Sequence, residues 1–553
     1  MTARLKMNQR LQHVIRARMH DYVRKEDGSL LVFGLALVLL MLMIGGLAVD
    51  LMRYEQRRTQ LQQTADRSVI AAASLTQSLN PTAVVDDYFQ KAGLEEYLDN
   101  VTVTQGLNYR IVDVDARADL DPFFAQMVGI DTFEVPAAST AEQRINNVEI
   151  MMVLDVSGSM GGAKIANLKT AAKEFVDTVK QRDAENRISI TIVPYNAQVN
   201  LGAVLRGQYN ATNLHGVTDV NCLELPDSVF ATPGISRTLA LPMMAFADTS
   251  SGTTTGNTYV NWSSTASNGG AINAGNPFCR KDTGNIVRLP SVNPTTIKAN
   301  IDGLVANGNT SITLGMKWGV ALLEPGARSM YSTLITASQI PSVLSGRPFD
   351  WTDDASMKVI ILMTDGEHVS HTRVNDAYKT GISPIYRSSG DNNYSIHHTA
   401  NRPLVAGTNE YFVPHLGTWQ ATPWNSGAGV VQQTWQQMWS VVRVTWVAQQ
   451  MYGRALGTDA TTRTNWYNSS LNSLRSTWKS VAQMDSSLQE SCTIAKTNGV
   501  IVYGIAFEAP STGQAQISQC SSSAAHYFDA NGLEIQTAFR AIASNISQLR
   551  LTQ

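Results

Sequence analysis

The stretch Val148-Glu149-Ile150-Met151-Met152-Val153-Leu154-Asp155-Val156-Ser157-Gly158-Ser159-Met160 decides the fold class of this chain. Its apolar run stops abruptly at an acid followed by two hydroxyls. A short continuous apolar run of this kind reads as a strand buried on both faces, as in a parallel sheet. A second run, Val359-Ile360-Ile361-Leu362-Met363, ends at Thr364-Asp365-Gly366. If the two strands are neighbours in a doubly wound sheet, Asp155 and Asp365 meet at its carboxyl edge, where open α/β sheets bind ligands.

A separate loop, Asn307-Gly308-Asn309-Thr310-Ser311, leads into an amphipathic helical pattern over 312–322 and places Thr310 at the helix entrance. Thr313, inside that pattern, is the alternative. An acid, two serines, a loop threonine and a second acid in this order resemble the metal-ion-dependent adhesion site of von Willebrand factor type A domains. The resemblance implies an α/β head with a doubly wound, mostly parallel sheet. It also implies a divalent metal held by Asp155, Ser157, Ser159, Thr310 and Asp365. Magnesium suits such a set, because it takes six oxygens and gives up its waters reluctantly. Calcium and manganese also accept oxygen ligands. Neutral hydroxyls leave the cation electrophilic, so an open position favours a hard anionic oxygen, such as an Asp or Glu side chain of a protein partner.

Two other readings compete with this one. Asp155 could simply end a strand, with Ser157 or Ser159 capping the helix expected over 164–179. A phosphatase of the haloacid dehalogenase type also places an Asp after a buried strand, but it needs a second acid where Ser157 stands, and serine cannot shuttle protons at neutral pH. The head is therefore expected to bind without catalysis. The separation of Ser159 from Thr310 departs from a compact domain of the family and requires a large insertion.

The remaining core reads as strands over 187–193 and 499–507, an edge strand over 198–205, a helix over 488–496, and a short strand at Tyr527-Phe528 before a helix over 533–546. Strands alternating with helices make the head α/β. Residues 206–290, rich in Gly, Ser, Thr and Asn, and residues 367–485 interrupt the alternation and read as two large insertions. The second holds His368, His371, His397, His398 and His415, whose loop-like spacings favour solvated or locally bonded rings over a zinc site. It also holds Trp435, Trp439 and Trp446 at helical spacing, expected to pack as one helix over 430–453, with an exposed partner surface as the alternative.

With 43 Lys and Arg against 45 Asp and Glu, the 553-residue chain has a net charge of −2 and no global footprint for nucleic acid. Its charge is uneven, with Arg4, Lys6, Arg10, Arg16, Arg18, Arg24 and Lys25 preceding an uncharged apolar run over 30–49. A run of about 20 such residues spans a bilayer as a helix, and the basic excess before it places the amino terminus in the cytoplasm. The rival reading is a cleaved signal peptide, with small residues at Gly46-Leu47-Ala48. Small and apolar residues then recur at helical spacing to Leu79, predicting one long rod that ends at Asn80-Pro81.

The segments Gly45-Gly46-Leu47-Ala48-Val49-Asp50-Leu51-Met52-Arg53 and Leu61-Gln62-Gln63-Thr64-Ala65-Asp66-Arg67-Ser68-Val69-Ile70-Ala71-Ala72-Ala73 resemble the amino-terminal region of TadE/TadG-like proteins of tight-adherence (Flp) pilus assembly. Prepilins of that machinery carry Glu five residues after the processing glycine. Phe33 stands there relative to Gly28, so a permanent anchor is expected. Short strands at 101–103, 109–114 and 133–135 predict a small α+β stalk. Four cysteines, all beyond the apolar run, fit an oxidising compartment, and Cys222 is expected to pair with Cys279 and Cys492 with Cys520.

The expected organisation is a cytoplasmic tail (1–28), a transmembrane helix (29–49), a helical rod and TadE/TadG-like stalk (50–145), and a von Willebrand type A head (146–553) in the periplasm of a bacterial inner-membrane protein. The expected work is metal-dependent binding of pilus-assembly proteins. An adhesin or matrix-binding receptor outside any pilus system is the alternative.

Overall fold

In a computed structural model of the chain, which describes residues 27–552 apart from 75–78, 106–108, 145–146, 182, 184, 247–278, 354, 404–406 and 428, one helix, α1 (Asp27–Ala73), carries the whole apolar run. The basic tail over 1–26 and the low-complexity part of the first long segment lie outside the described residues. The chain divides into two compact units, the first running to Ile145 and the second from Asn146 to Arg550.

In the first unit, α1 is the one helix among the described residues long and apolar enough to cross a membrane. Over residues 30–45 its side chains are exposed all round. Past Asp50 it changes character. Leu61, Ala65, Val69 and Ala72, at helical spacing on one face, are buried against a three-stranded antiparallel sheet. The strands are β1 (Leu98–Gln105), β2 (Tyr109–Leu120) and β3 (Phe133–Arg144), in that order. Gln62 Nε2 donates to Ala138 O at 2.9 Å, and Ser139 Oγ donates to Asp66 Oδ1 at 2.7 Å, tying the helix to β3. A second helix, α2 (Pro81–Ala92), is capped by Asn80 and adds Val85 and Phe89 to the same core. The expected rod to Leu79 is corrected here. The helix ends at Ala73, and its small residues form one wall of a packed α+β unit, where the absence of bulk lets strands approach.

The second unit is built on β4 (Asn147–Asp155), α3 (Ala163–Lys180), β5 (Ile188–Tyr195), β6 (Arg288–Ser291), α4 (Ile312–Leu323), β7 (Ser356–Thr364), α5 (Val481–Thr497), β8 (Ile501–Phe507), α6 (Ser511–Cys520), β9 (Tyr527–Ala530) and α7 (Glu534–Thr552). Its sheet has the order β9-β8-β7-β4-β5-β6, parallel throughout except for β6 against β5. Alternation along β4 explains its unbroken apolar run. Met151 and Val153 face the layer of α4, α5 and α6, while Ile150, Met152 and Leu154 face α3 and α7. Both faces are covered, so the run from Ile150 to Leu154 is apolar throughout, and the buried Glu149 before it is paired with Lys358.

The edge strand expected over 198–205 is absent. Asn200 Oδ1 accepts the Gly202 N–H at 3.0 Å and Gly202 takes φ +69°, which turns the chain into a short helix, Gly202–Arg206. The edge is β6 instead, at the end of the first long segment. That segment is closed by the Cys222–Cys279 disulfide, and Cys492–Cys520 joins α5 to α6, so both expected pairs are present.

The second long segment leaves and returns through two antiparallel strands, His371–Val374 and Arg475–Lys479, with His371 opposite Lys479. Between them it forms its own five-stranded antiparallel sheet and an apolar core that Ala245 of the first long segment joins. Trp435, Trp439 and Trp446 are buried in that core. They do not share one helix. Val430–Thr434 is a strand, and Thr434 and Gln437 then form a capping box that starts the short helix Trp435–Trp439.

Candidate metal centre

In the order β7-β4-β5 the chain leaves β4 toward β5 and later crosses to the other side of β4, so the topological switch lies between β4 and β7. Their carboxyl ends are Asp155 and Thr364-Asp365. The structure therefore brings the two predicted acids, separated by more than two hundred residues, to one crevice.

Asp155 is buried, and its Oδ1 accepts the Ser157 N–H at 2.8 Å. Its Oδ2 accepts from Thr364 Oγ1 at 2.7 Å. The Ser157 and Ser159 hydroxyls are 2.9 Å apart, and Ser159 Oγ donates to Asp365 Oδ1 at 2.7 Å. Neither serine caps α3, whose N-cap is Gly162, five residues beyond Ser157. The capping explanation of these hydroxyls therefore fails.

Thr310 is held by its loop. Gly158 N–H donates to Gly308 O at 2.7 Å, Asn307 N–H donates to Val156 O at 2.7 Å, and Asn196 Nδ2 donates to Asn307 O at 3.0 Å. Gly308, at φ +87°, makes this close approach possible. A Cβ on Gly366 would lie 3.4 Å from Thr310 Oγ1 and 3.9 Å from Ser159 Oγ, so both hydroxyls border the loop that carries Asp365. The helix behind Thr310 comes close to the sheet because Gly315 faces the Tyr195 ring, where a Cβ would sit 2.4 Å from Cδ1. Thr313 lies elsewhere. Its hydroxyl donates to Met484 O at 2.6 Å and meets His368 Nε2 at 2.9 Å.

Several neighbours were not singled out from the sequence. Lys164 Nζ is 2.9 Å from Asp365 Oδ2 and 3.6 Å from Glu508 Oε2. Thr364 and Tyr195 complete the floor, with Tyr195 Oη donating to Met363 O at 2.8 Å. Thr364, placed between the apolar run and Asp365, carried the one signal that could have been read.

Burial and then the Asp365 charge push the Asp155 carboxyl up to about 6, against the pull of its hydrogen bonds from Thr364 and Ser157. The Asp365 charge beside the buried Asp155 carboxyl favours a cation in the crevice. Two acids and three hydroxyls form an all-oxygen set of the kind a hard divalent cation takes.

The histidines of the second long segment do not converge. His368 Nδ1 lies 2.7 Å from Asp485 Oδ1, His371 pairs with Gln198, His397 with Glu410, and His398 with Met451 O. Among the described residues no group of three or more His, Cys, Asp and Glu side chains could hold a metal.

Residues 28–75 match the family model described as "Putative Flp pilus-assembly TadE/G-like". No curated protein matches the chain. Among solved structures, it is similar to the von Willebrand domain of the type V pili tip protein Mfa5 from Porphyromonas gingivalis, at 13% identity and TM-score 0.32, covering 74% of this chain and 98% of that one. It is also similar to the pilus adhesin SpaC from Lactobacillus rhamnosus GG, at 11% identity and TM-score 0.29, covering 81% of this chain and 33% of that one. The pilus adhesin RrgA from Streptococcus pneumoniae matches at 9% identity and TM-score 0.29, covering 82% and 50% respectively. This chain thus spans a third to a half of the two adhesins, and likenesses at such scores carry no argument about function.

Proposed function

We propose that this chain is a membrane-anchored, metal-dependent protein-binding component of Flp (tight-adherence) pilus assembly or anchoring, without catalysis. The TadE/G-like match over residues 28–75 supports the pilus assignment. In this reading α1 crosses the bacterial inner membrane once, with the basic tail in the cytoplasm. The second unit, a von Willebrand type A head bearing two insertions, then stands in the periplasm, where paired cysteines persist.

The observation that carries the binding role is the meeting of Asp155 and Asp365 with the hydroxyls of Ser157 and Ser159 at the switch point, where Thr310 Oγ1 borders the Gly366 turn after Asp365. These five residues would hold magnesium, with calcium and manganese as the other candidates. When bound, the cation supplies an electrophilic position for an acidic side chain of a partner. The chain's own part is to fix these oxygens at the carboxyl ends of two buried strands and on the loops that follow them and precede α4.

Magnesium titration of the melting curve tests this reading. Wild-type protein should gain about 2.7 kcal/mol at a hundredfold excess over the dissociation constant. Asp155→Ala and Asp365→Ala should show no gain and should lose co-purifying partners from membranes, as should wild-type protein with chelator. A melting curve indifferent to magnesium, calcium and manganese would refute the proposal.

A further inference from the structure

Asp50 stands at the end of the apolar run of α1, and its carboxylate is buried. It accepts three backbone N–H groups from one loop, those of Phe123 at 2.9 Å, Phe124 at 2.7 Å and Ala125 at 2.8 Å. Charge-assisted bonds of this kind are what make a buried carboxylate tolerable. Phe124 packs where Gly46 leaves room, since a Cβ on Gly46 would lie 2.3 Å from Phe124 Cγ. Gly46 precedes Asp50 by about one turn, roughly 6 Å along the helix axis. The loop is thus held alongside the apolar run and not merely beyond it. Arg53 completes the clamp, donating to Asp121 O at 3.3 Å with its guanidinium 3.9 Å from the centre of the Phe123 ring.

The loop is unlike a water-facing turn. Pro122-Phe123-Phe124-Ala125-Gln126-Met127-Val128-Gly129-Ile130 carries no charge between Asp121 and Asp131. Phe123 is 69% exposed, Met127 73% and Val128 51%. Clustered large apolar side chains left in the open mark a contact surface. Helix α1 identifies what they contact. The loop lies beside the end of the helix's uncharged run, and Arg53, Arg57 and Arg58 follow within about two and a half turns, the kind of basic side chains that favour lipid headgroups.

We propose that the loop joining β2 and β3 docks into the membrane, placing Phe123, Met127 and Val128 in the leaflet on the Asp50 side of the bilayer, with Asp50 fixing its depth. This rests on the reading of α1 as a membrane span. Apolar elements lying in an interface reach about 5–10 Å into it, which matches the reach of the loop past Asp50. A second point of contact would stop the first unit from swivelling about a single helix and would set its tilt against the membrane.

Nitroxide labels on the full chain in phosphatidylcholine–phosphatidylglycerol vesicles test the proposal. The four native cysteines are disulfide-bonded, so an introduced thiol labels alone. A label at Met127→Cys should be relaxed by oxygen and shielded from a water-soluble nickel chelate, as should one at Leu39→Cys within the apolar run. A label at Asp131→Cys should be open to the chelate. Adding Asp50→Ala should return the Met127→Cys label toward the Asp131→Cys value, and no change there would overturn the assignment to Asp50. Chelate access at Met127→Cys with Leu39→Cys still shielded would overturn membrane docking alone. Access at both would overturn the membrane span as well. A Met127→Cys label shielded from oxygen and chelate alike would mean that protein covers the loop, which also refutes the proposal.

Discussion

Thr364 Oγ1 donates to Asp155 Oδ2, so the last residue of β7 orients the carboxylate that ends β4. The two strands are neighbours, yet their acids come from opposite halves of the second unit. One hydroxyl fixes how an oxygen of the first acid is presented.

Thr364→Val keeps shape and removes that donor. The expected result is a magnesium affinity lower by about 10–100-fold, the usual cost of losing a partner that orients a metal ligand, with little loss of fold. Calorimetric titration checks it, and an unchanged affinity would show that Asp155 needs no orienting group.

Lys164 would compete with a bound cation for Asp365, since its ammonium lies 2.9 Å from Oδ2. Lys164→Gln should therefore tighten magnesium binding by roughly tenfold, or ~1.4 kcal/mol, for one partly screened like charge removed. Weaker binding in the variant would mean that Lys164 supports the site instead of opposing the cation.

The Cys492–Cys520 disulfide joins α5 to α6 across a sequence separation of 28. Replacing both cysteines by serine should cost about 3.5 kcal/mol on the chain-entropy estimate. Chemical denaturation of the two forms measures the difference. A loss near zero would mean that packing of α6 alone already confines this stretch.

His371 is buried edge-on to Trp478, with the Gln198 amide 2.6 Å from its Nε2. Burial, and then the nearby Arg373 charge, hold its pKa well below the ordinary 6.5. The unfolded chain takes up this proton near 6.5 and the folded chain resists it. Stability is then fully present above that pH and is lost as the pH falls below it. Melting temperatures measured from about pH 8 to about pH 5 should fall more steeply for wild-type protein than for His371→Gln. Parallel curves would show that the ring titrates freely.

Much of the sheet was legible because β4 and β7 are buried on both faces, so their apolar runs stop where the strands stop. Asp155, Ser157, Ser159 and Asp365 stood out for the same reason. Thr310 was readable only through its glycine-bearing loop and the helix after it. Gln198 to Leu205 misled because Val199, Leu201 and Leu205 are apolar and buried, yet Gly202 bends the backbone between them. Lys164 and Glu508 could not be read at all, since charged side chains at helix starts and loop tips are usually solvated. The role of Asp50 was equally hidden, because its partners are backbone groups more than seventy residues away.

Because His371 lies opposite Lys479, the polypeptide enters and leaves the second long segment at nearly the same point. Paired Cα atoms in such a ladder stand only about 4.5–5.5 Å apart. Everything between them is a detour that returns to its origin, built mostly around one core. Such a detour can be trimmed, enlarged or traded for another over a lineage without rethreading the strands that carry the acids.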